Sequence, residues 1–225
     1  MEKKIPNDPI ATLNGLITNG LFDIAEQKIK EWGLKIKIEG GQLVDISNST
    51  EAWLKRFITV HPAMLTLKDD VRKLAKIDDE ILIMGPTGTG KELLARALHG
   101  DREGRFIACN CAGIPENLLE SILFGHVKGA FTGASESKHG LMKLAAAGTL
   151  FLDEIGELKM EMQSKLLRAI QEKVVTPVGG DKEIEINCRI VCATNVDIQA
   201  MTTINMFRKD LFARITTFEL HTLPI

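Results

Sequence analysis

The stretch that most constrains the fold is a glycine-rich loop, GPTGTGKE, at residues 85–92. An apolar run at residues 80–84 precedes it, and a helical pattern at residues 91–99 follows it. Strand, glycine loop and helix in this order are the setting of a phosphate-binding P-loop. Glycines let the backbone take positive φ and point its N–H groups at an anion. The expected phosphate-binding residues are Gly85, Pro86, Thr87, Gly88, Thr89, Gly90, Lys91 and Glu92.

The last two residues of the loop decide its chemistry. Lys91 would reach the β- and γ-phosphates of a nucleotide. The pattern GxxxxGK[ST] ends in a hydroxyl that touches magnesium, and Glu92 stands in its place. The residues alone leave three interpretations of the loop. The metal is held in another way, the loop has lost its function, or the stretch is only a glycine-rich turn before a helix.

Beyond residue 60 the chain alternates apolar strand patterns with helical patterns. Strands are predicted at residues 80–84, 105–110, 148–154, 188–195 and 216–220, and helices at residues 64–76, 91–99, 114–123, 140–147, 160–173 and 207–214. Continuous apolar strands between helices are typical of a parallel sheet covered on both faces. We therefore expect an α/β domain at residues 60–225, with a hairpin at residues 174–186 that turns at two glycines.

Residues 1–59 have a different pattern and are expected to form a small, separate α+β segment. A helix is predicted at residues 21–32, a hairpin at residues 34–46 and a second helix from about residue 50. The segment contains no pattern of catalytic residues. Its role stays open between a sensor remnant, a docking module and a stabilising flank.

Two predicted strands end in polar residues, and ligands of open α/β sheets bind at that edge. Asp153 is expected to bind magnesium beside the phosphates, and Glu154 to orient or deprotonate the attacking water. The alternative is an acidic pair that caps the next helix. The amide of Asn195 can sense the γ-phosphate or hold the water, and an ordinary turn asparagine is an equal alternative.

Two more patterns stay open on the residues alone. Arg208 and Arg214 lie six apart, and either can serve as an arginine finger, although ordinary surface arginines are the stronger alternative on spacing. A glycine-flanked Phe131 suits contact with a partner, and a plain surface loop is an equal alternative. The stretch that contains it consists of Gly129, Ala130, Phe131, Thr132, Gly133 and Ala134.

Charge and cysteine content argue against several classes of protein. The 28 basic and 30 acidic residues give a net charge of −2, so there is no basic surplus to indicate a nucleic-acid surface. The four cysteines lie in apolar runs without a CxxC pair. This pattern predicts that they are reduced core residues and that the protein is cytoplasmic. No signal-peptide pattern begins the chain, and no apolar run is long enough to span a membrane.

From about residue 61 to 225 the chain resembles the central AAA+ domain of sigma-54-dependent transcriptional activators, the bacterial enhancer-binding proteins. The hexapeptide GAFTGA at residues 129–134 is the hallmark of that family and lies within the run ENLLESILFGHVKGAFTGA. The family's P-loop commonly reads GESGTGKE, so Glu92 is a family trait, while Pro86 and Thr87 depart from the common Glu-Ser. The resemblance implies the three-layer sandwich of an AAA+ P-loop NTPase.

The resemblance also implies roles at the nucleotide. Asp153 and Glu154 in GTLFLDEIGEL match the Walker B pair. Asn110 matches the asparagine that holds the catalytic glutamate in a switch, and Asn195 in CATN matches sensor I.

Other implied roles concern neighbouring subunits and the client protein. Arg208 and Arg214 match the family's paired trans-acting arginines. The resemblance therefore favours arginine fingers, whereas spacing alone favours ordinary surface arginines. Residues 178–180 fall where the family has its second substrate-facing loop. Phe131 and Thr132 are then the residues that contact sigma-54.

The implied function is ATP-driven remodelling, with ATP and Mg²⁺ as cofactors and the sigma-54 RNA polymerase holoenzyme as partner. The family forms rings, usually hexameric, in which a neighbour completes each ATP site. Its members continue into a helical lid and a DNA-binding helix-turn-helix, and neither follows residue 225 here. The alternative is a lid-less ATP-binding interaction protein with little turnover that modulates longer activators. Another client is a further alternative.

Overall fold

A five-stranded parallel sheet forms the centre of the structure, a computed structural model that describes residues 9–32, 36–39, 42–45 and 49–224. The strands are β1 (Ile36–Glu39), β2 (Gln42–Asp45), β3 (Ile81–Met84), β4 (Phe106–Asn110), β5 (Gly125–His126), β6 (Lys138–His139), β7 (Thr149–Asp153), β8 (Val174–Val175), β9 (Ile184–Glu185), β10 (Arg189–Thr194) and β11 (Phe218–His221). The helices are α1 (Pro9–Thr18), α2 (Phe22–Trp32), α3 (Thr50–Arg56), α4 (Pro62–Leu74), α5 (Lys91–His99), α6 (Glu116–Phe124), α7 (Leu141–Leu144), α8 (Met160–Glu172), α9 (Ile198–Thr203) and α10 (Lys209–Ile215).

The main sheet has the strand order β11-β3-β10-β7-β4, and every neighbouring pair is parallel. In such a sheet the carboxyl ends of all strands lie at one edge. The register pairs Thr194 with Met84, and Asn110 with Asp153. The polar residues that follow these strands are therefore neighbours at one edge, as the sequence predicts.

Helices cover both faces of the sheet. Because successive strand residues point to opposite faces, the inner strands β3, β7 and β10 contribute side chains to both apolar cores. Leu82, Leu150 and Ile190 belong to a core that α6, α8 and α10 also line. Ile83 and Val191 belong to a second core, shared with α3, α4 and α5. These two apolar layers confirm the expected three-layer α/β sandwich.

The elements before α3 have an apolar cluster of their own. Leu13, Ala25 and Ile29 are buried together between α1 and α2, and Ile36 packs against them. The hairpin of β1 and β2 is antiparallel, as predicted. By contrast α3 packs on α5 and buries Leu54 in the core of the main sheet. The division of the chain at residue 59 stays a prediction.

Most predicted elements are present within a few residues of their expected ends. Two helices among the described residues, α1 and α9, were not expected from the sequence. The N-cap of α9 is Asp197, whose side chain accepts a hydrogen bond from the Ala200 amide, so a capping signal was present. The four cysteines are free and buried, as expected. Within the described ranges, no helix combines the length and the apolar character needed to cross a bilayer.

Buried His99, at the end of α5, gives the fold a predicted dependence on pH. Burial, with Arg102 and Arg96 nearby, lowers the pKa of His99 to about 4. The unfolded chain, with a histidine pKa near 6.5, binds more protons between these values, so stability is lost as the pH falls from about 6.5 toward 4. At pH 5 we expect a loss of about 2 kcal/mol relative to pH 7.5 from this residue.

The measurement is urea unfolding at several pH values, for the natural chain and His99→Asn. The variant is expected to lose less stability than the natural chain between pH 7.5 and 5, because the asparagine cannot gain a proton. Equal losses in the two proteins would contradict the prediction.

Candidate nucleotide-binding site

The glycine loop connects β3 to α5 at the carboxyl edge of the main sheet. Gly88 and Gly90 have φ of 82° and 85°, in the left-handed region where a side chain would be strained. Gly90 is the N-cap of α5, so the loop leads into the positive end of a helix dipole. The backbone therefore has the shape and polarity of an anion-binding loop.

Lys91 begins α5 and is buried, with its ammonium group inside the loop. Its Nζ donates to the carbonyl oxygens of Gly85 and Pro86, at 2.9 and 3.1 Å. Among the described residues, these carbonyls are the hydrogen-bond partners of the ammonium group, and a buried ammonium held by neutral oxygens gains from an anionic ligand. Lys91 is thus placed to bind phosphate.

Glu92 lies on the exposed side of α5. Its Oε1 accepts hydrogen bonds from Nε and Nη2 of Arg96, at 3.0 and 2.8 Å. This i,i+4 ion pair engages the carboxylate on the helix surface. A glutamate in place of the usual hydroxyl is therefore compatible with the loop geometry.

Asp153 is the last residue of β7, and Glu154 follows it. β7 pairs with β10, which in turn pairs with β3, the strand that leads into the glycine loop. The backbone N–H of Glu154 donates to Asp153 Oδ1 at 3.0 Å. Glu154 has φ 52° and ψ 49°, a left-handed conformation that is uncommon for a non-glycine residue. Such strain concentrates at functional sites, where it fixes the direction of a side chain.

Asn195 joins the acidic pair to the P-loop. Its Nδ2 donates to Thr87 Oγ1 at 3.2 Å, and its backbone N–H donates to Glu154 Oε2 at 3.3 Å. The end of β10, the end of β7 and the glycine loop are therefore in contact through side chains. The contact with Thr87 depends on the amide side chain of Asn195, whereas the contact with Glu154 uses only its backbone.

Asn110 ends β4 and is paired in register with Asp153. Its Oδ1 accepts a hydrogen bond from the backbone N–H of Ala112 at 2.8 Å. It makes no hydrogen bond to Glu154 in the described structure. Asn110 therefore lies at the same sheet edge as Asp153, and its side chain hydrogen-bonds within the turn that follows β4.

The residues at this edge include carboxylates of the kind that contribute to magnesium sites in nucleotide-binding proteins. Among the residues that the structure describes, no group of three His, Cys, Asp or Glu side chains could hold a metal. Magnesium in nucleotide sites commonly binds one or two carboxylates, phosphate oxygens and waters. Asp153 is placed to supply such a carboxylate.

A cavity of about 280 Å³ opens beside the glycine loop. Gly88, Thr89 and Gly90 form one wall, and the ring of Phe57 lies so close that a Cβ on Gly90 would be 2.8 Å from it. The other lining residues include Ile58, Met64, Leu223 and Pro224. A largely apolar slot next to a phosphate loop can receive a flat base. Sequence reasoning did not find this slot, because its lining residues come from three separate stretches of the chain, residues 56–64, 88–93 and 223–224.

The two arginines lie at opposite ends of α10. Arg208 is the N-cap residue; it forms a two-point ion pair with Asp210, at 3.0 and 2.7 Å, and donates to Ser164 Oγ at 2.9 Å. Asp210 raises the pKa of Arg208 through this hydrogen bonding. Arg214, in the last turn, lies 3.6 Å from the buried carboxylate of Glu80. Both guanidinium groups are half-exposed.

The GAFTGA segment forms a closed turn that projects beyond β5 and β6. Gly129 N–H donates to the Ala134 carbonyl at 2.8 Å, which closes the base, and Ala134 is buried. Phe131 is 38% exposed and its ring contacts the edge of His126, with centroids 5.1 Å apart. Thr132 is exposed.

The second predicted loop is bonded to the first. Val127 N–H donates to the Val178 carbonyl at 3.1 Å, and Val178 N–H donates to the Gly125 carbonyl at 2.9 Å. A Cβ on Gly179 would lie 2.8 Å from the Cβ of Ala130. Residues 129–134 and 178–180 therefore form one joined surface.

Comparison with known proteins identifies the family of the chain. The sigma-54 interaction domain family matches residues 57–221. The chain is 47% identical over 173 residues to the response regulator protein PilR of Pseudomonas aeruginosa, covering 76% of this chain and 39% of that protein. It is 48% identical over 171 residues to the regulatory protein AtoC of Escherichia coli, covering 75% of this chain and 37% of that protein.

A solved structure of NtrX from Brucella abortus, in complex with ADP, has a similar fold. Its TM-score is 0.68 at 29% identity, and the match covers 91% of this chain and 42% of that one. The chain spans about two fifths of the length of these relatives. With a matched region that includes the P-loop, the acidic pair and the GAFTGA turn, the chain belongs to the sigma-54 interaction domain family of AAA+ proteins.

Proposed function

We propose that the chain binds and hydrolyses ATP, and uses the cycle to remodel the sigma-54 RNA polymerase holoenzyme through its GAFTGA turn. The observation that carries the proposal is the contact between three elements at one sheet edge: Asn195 bridges Thr87 of the P-loop and Glu154 beside Asp153. An anion-binding loop, an acidic pair and an amide that joins them are the parts that phosphoryl transfer to water requires.

Nucleotide is bound by the loop and the slot together. Loop N–H groups and Lys91 bind the phosphates, and the slot beside Phe57 receives the base. An ADP complex of the structural relative NtrX supports nucleotide binding at this fold. ATP is the expected nucleotide by family membership.

Hydrolysis requires a positioned water and neutralised phosphate charge. Glu154 accepts the proton or orients the water, and its Oε2 is already held by the backbone N–H of Asn195. Lys91 stabilises charge that develops on the γ-phosphate oxygens. Magnesium, bound through Asp153, supplies further charge neutralisation when present.

Contact with sigma-54 is assigned to the joined surface of residues 129–134 and 178–180. Phe131 keeps 38% of its surface exposed beside His126, and Thr132 is exposed at the tip. The matching family is named for sigma-54 interaction. A cytoplasmic location follows from that partner.

Completion of the site by a second copy is also part of the proposal. Arg208 and Arg214 reach the surface on α10 and form their ion pairs within the chain, with Asp210 and Glu80. In a ring, each can turn to the nucleotide of a neighbour, as trans-acting arginines do in phosphoryl transfer.

Thr132→Ala is expected to leave ATP hydrolysis within about twofold and to abolish capture of sigma-54. The residue is exposed on the closed turn and takes part in none of the hydrogen bonds described at the nucleotide site, so its loss removes a partner contact without disturbing the site. The measurement is a pull-down of sigma-54 with a transition-state analogue of ATP bound, beside a turnover assay.

Ser135→Ala, just outside the hexapeptide, is the matched control and is expected to retain capture. If Thr132→Ala lost hydrolysis and capture equally, the turn would have a structural role instead. Absence of capture by the natural chain in the analogue-bound state would count against sigma-54 as the partner.

A further inference from the structure

A buried pair of threonine hydroxyls lies beneath the P-loop. Oγ1 of Thr89, within the loop, is 2.6 Å from Oγ1 of Thr222, which follows β11. Both residues are only 5% exposed. Thr222 lies one residue beyond the matched family region, and the catalytic scheme above does not use it.

The hydroxyl pair continues to the carbonyl oxygen that Lys91 contacts. Thr89 Oγ1 donates to the Pro86 carbonyl at 2.8 Å, and Lys91 Nζ donates to the same oxygen at 3.1 Å. With Thr89 donating to the Pro86 carbonyl, its oxygen is left to accept a hydrogen bond from the Thr222 hydroxyl. The connection therefore runs from Thr222 through Thr89 and Pro86 to the phosphate-binding lysine.

Thr222 is itself fixed on the strand that enters the loop. Its backbone N–H donates to the Met84 carbonyl at 2.8 Å, and its Oγ1 lies 3.3 Å from that carbonyl oxygen. A Cβ on Gly85 would lie 1.9 Å from Thr222 Oγ1, so only glycine fits there. Gly85, the first glycine of the loop, thus permits the close approach of Thr222, in addition to any role in letting the loop backbone approach a phosphate.

The residue after Thr222 belongs to the base slot. Leu223 and Pro224 line the slot opposite Gly88 and Gly90. Leu223 N–H also contacts the sulfur of Met64 at 3.4 Å. Thr222 therefore connects the phosphate loop to one wall of the slot.

We infer that Thr222 is a positioning residue for nucleotide binding: its hydroxyl holds Thr89 and the P-loop in the phosphate-binding shape, and its backbone holds the slot wall against that loop. The inference rests on the proposed ATP site. Without the hydroxyl, Thr89 loses a buried partner, and the loop has to be ordered by the nucleotide at the expense of affinity.

The test is ATP and ADP affinity, measured by titration calorimetry, for the natural chain, Thr222→Val and Thr222→Ser. Valine keeps the shape and removes the hydroxyl, and we expect it to weaken binding about tenfold. Serine keeps the hydroxyl and is expected to stay within about twofold of the natural chain. Thr202→Val, which removes another buried hydroxyl in α9, is the matched control and is expected to leave affinity unchanged.

A double-mutant cycle separates positioning from general destabilisation. Thr89→Val breaks the same hydroxyl pair from the other side, so adding Thr222→Val to it is expected to weaken binding by less than twofold more. If Thr222→Val does not fold, Thr222→Ala compared with Thr222→Ser gives the answer, because it also removes the hydroxyl from position 222. A merely structural role would lower the unfolding midpoint while the folded variant kept its affinity.

Each outcome decides the inference. A tenfold loss in valine, rescue by serine and non-additivity with Thr89 would support it. Unchanged affinity in folded Thr222→Val, or fully additive losses in the cycle, would overturn it and leave the proposed ATP site intact. No nucleotide binding by the natural chain would overturn both.

Discussion

Glu154→Gln is expected to slow ATP hydrolysis by about 10²- to 10⁴-fold, the usual contribution of a general base. Glutamine has nearly the same shape, but it cannot accept a proton from water. Its amide oxygen can still accept the hydrogen bond from the Asn195 N–H, so the bridge to the P-loop should persist. Affinity for ATP is therefore expected to stay within a few-fold of the natural chain.

The measurement pairs steady-state turnover with nucleotide titration on the same preparations. Glu157→Gln, a neighbouring carboxylate three residues further on, is the matched control and should retain turnover. Loss of ATP binding in Glu154→Gln would show that the side chain shapes the site. Unchanged turnover would remove Glu154 from the chemistry.

Arg208→Ala is expected to slow hydrolysis by about 10³-fold or more, within the range known for arginine fingers. The guanidinium group is half-exposed and bonded to Asp210 and Ser164, so its removal should change the thermal midpoint little. Arg214→Ala is expected to lose both turnover and stability, because among the described residues the buried carboxylate of Glu80 would retain Lys173 as its one ionic partner.

Mixing experiments test whether the arginine acts in trans. Arg208→Ala has an intact P-loop, and Lys91→Ala has intact arginines, so mixed assemblies contain some complete sites. Activity in the mixture above the sum of the two variants is the expected result. Arg168→Ala, an exposed arginine paired with Glu172 and Glu183, is the control that should retain activity. A mixture no more active than its parts would place the arginine's effect within its own subunit.

Much of the architecture could be predicted because it depends on local patterns. Apolar runs such as Leu150–Leu152 and the glycine loop are contiguous, and parallel strands bring their carboxyl ends together. The edge that carries Asp153, Glu154 and Asn195 followed from that rule alone. The GAFTGA turn was identified from its hexapeptide sequence. The structure adds the hydrogen bond that closes its base and the backbone hydrogen bonds that join the residues just before it to the second loop.

The contacts that tune the site could not be predicted, because they join residues distant in sequence. Thr89 and Thr222 are 133 positions apart, and Asn195 and Thr87 are 108 apart. No periodicity encodes such pairs; they depend on how β11 and β10 flank β3. Likewise, Arg208 was expected within a helix, whereas it occupies the N-cap position of α10 and its side chain pairs with Asp210.

Steady-state ATP hydrolysis over a wide range of protein concentration, with Lys91→Ala as control, is the most direct test of hydrolysis at sites shared between subunits. We predict a specific activity that rises with concentration, because a neighbour completes each site, and that vanishes in the variant. Nucleotide binding with flat, negligible turnover would contradict hydrolysis by this chain and favour an ATP-binding interaction protein. Turnover that persists in Lys91→Ala would contradict the assignment of the site itself.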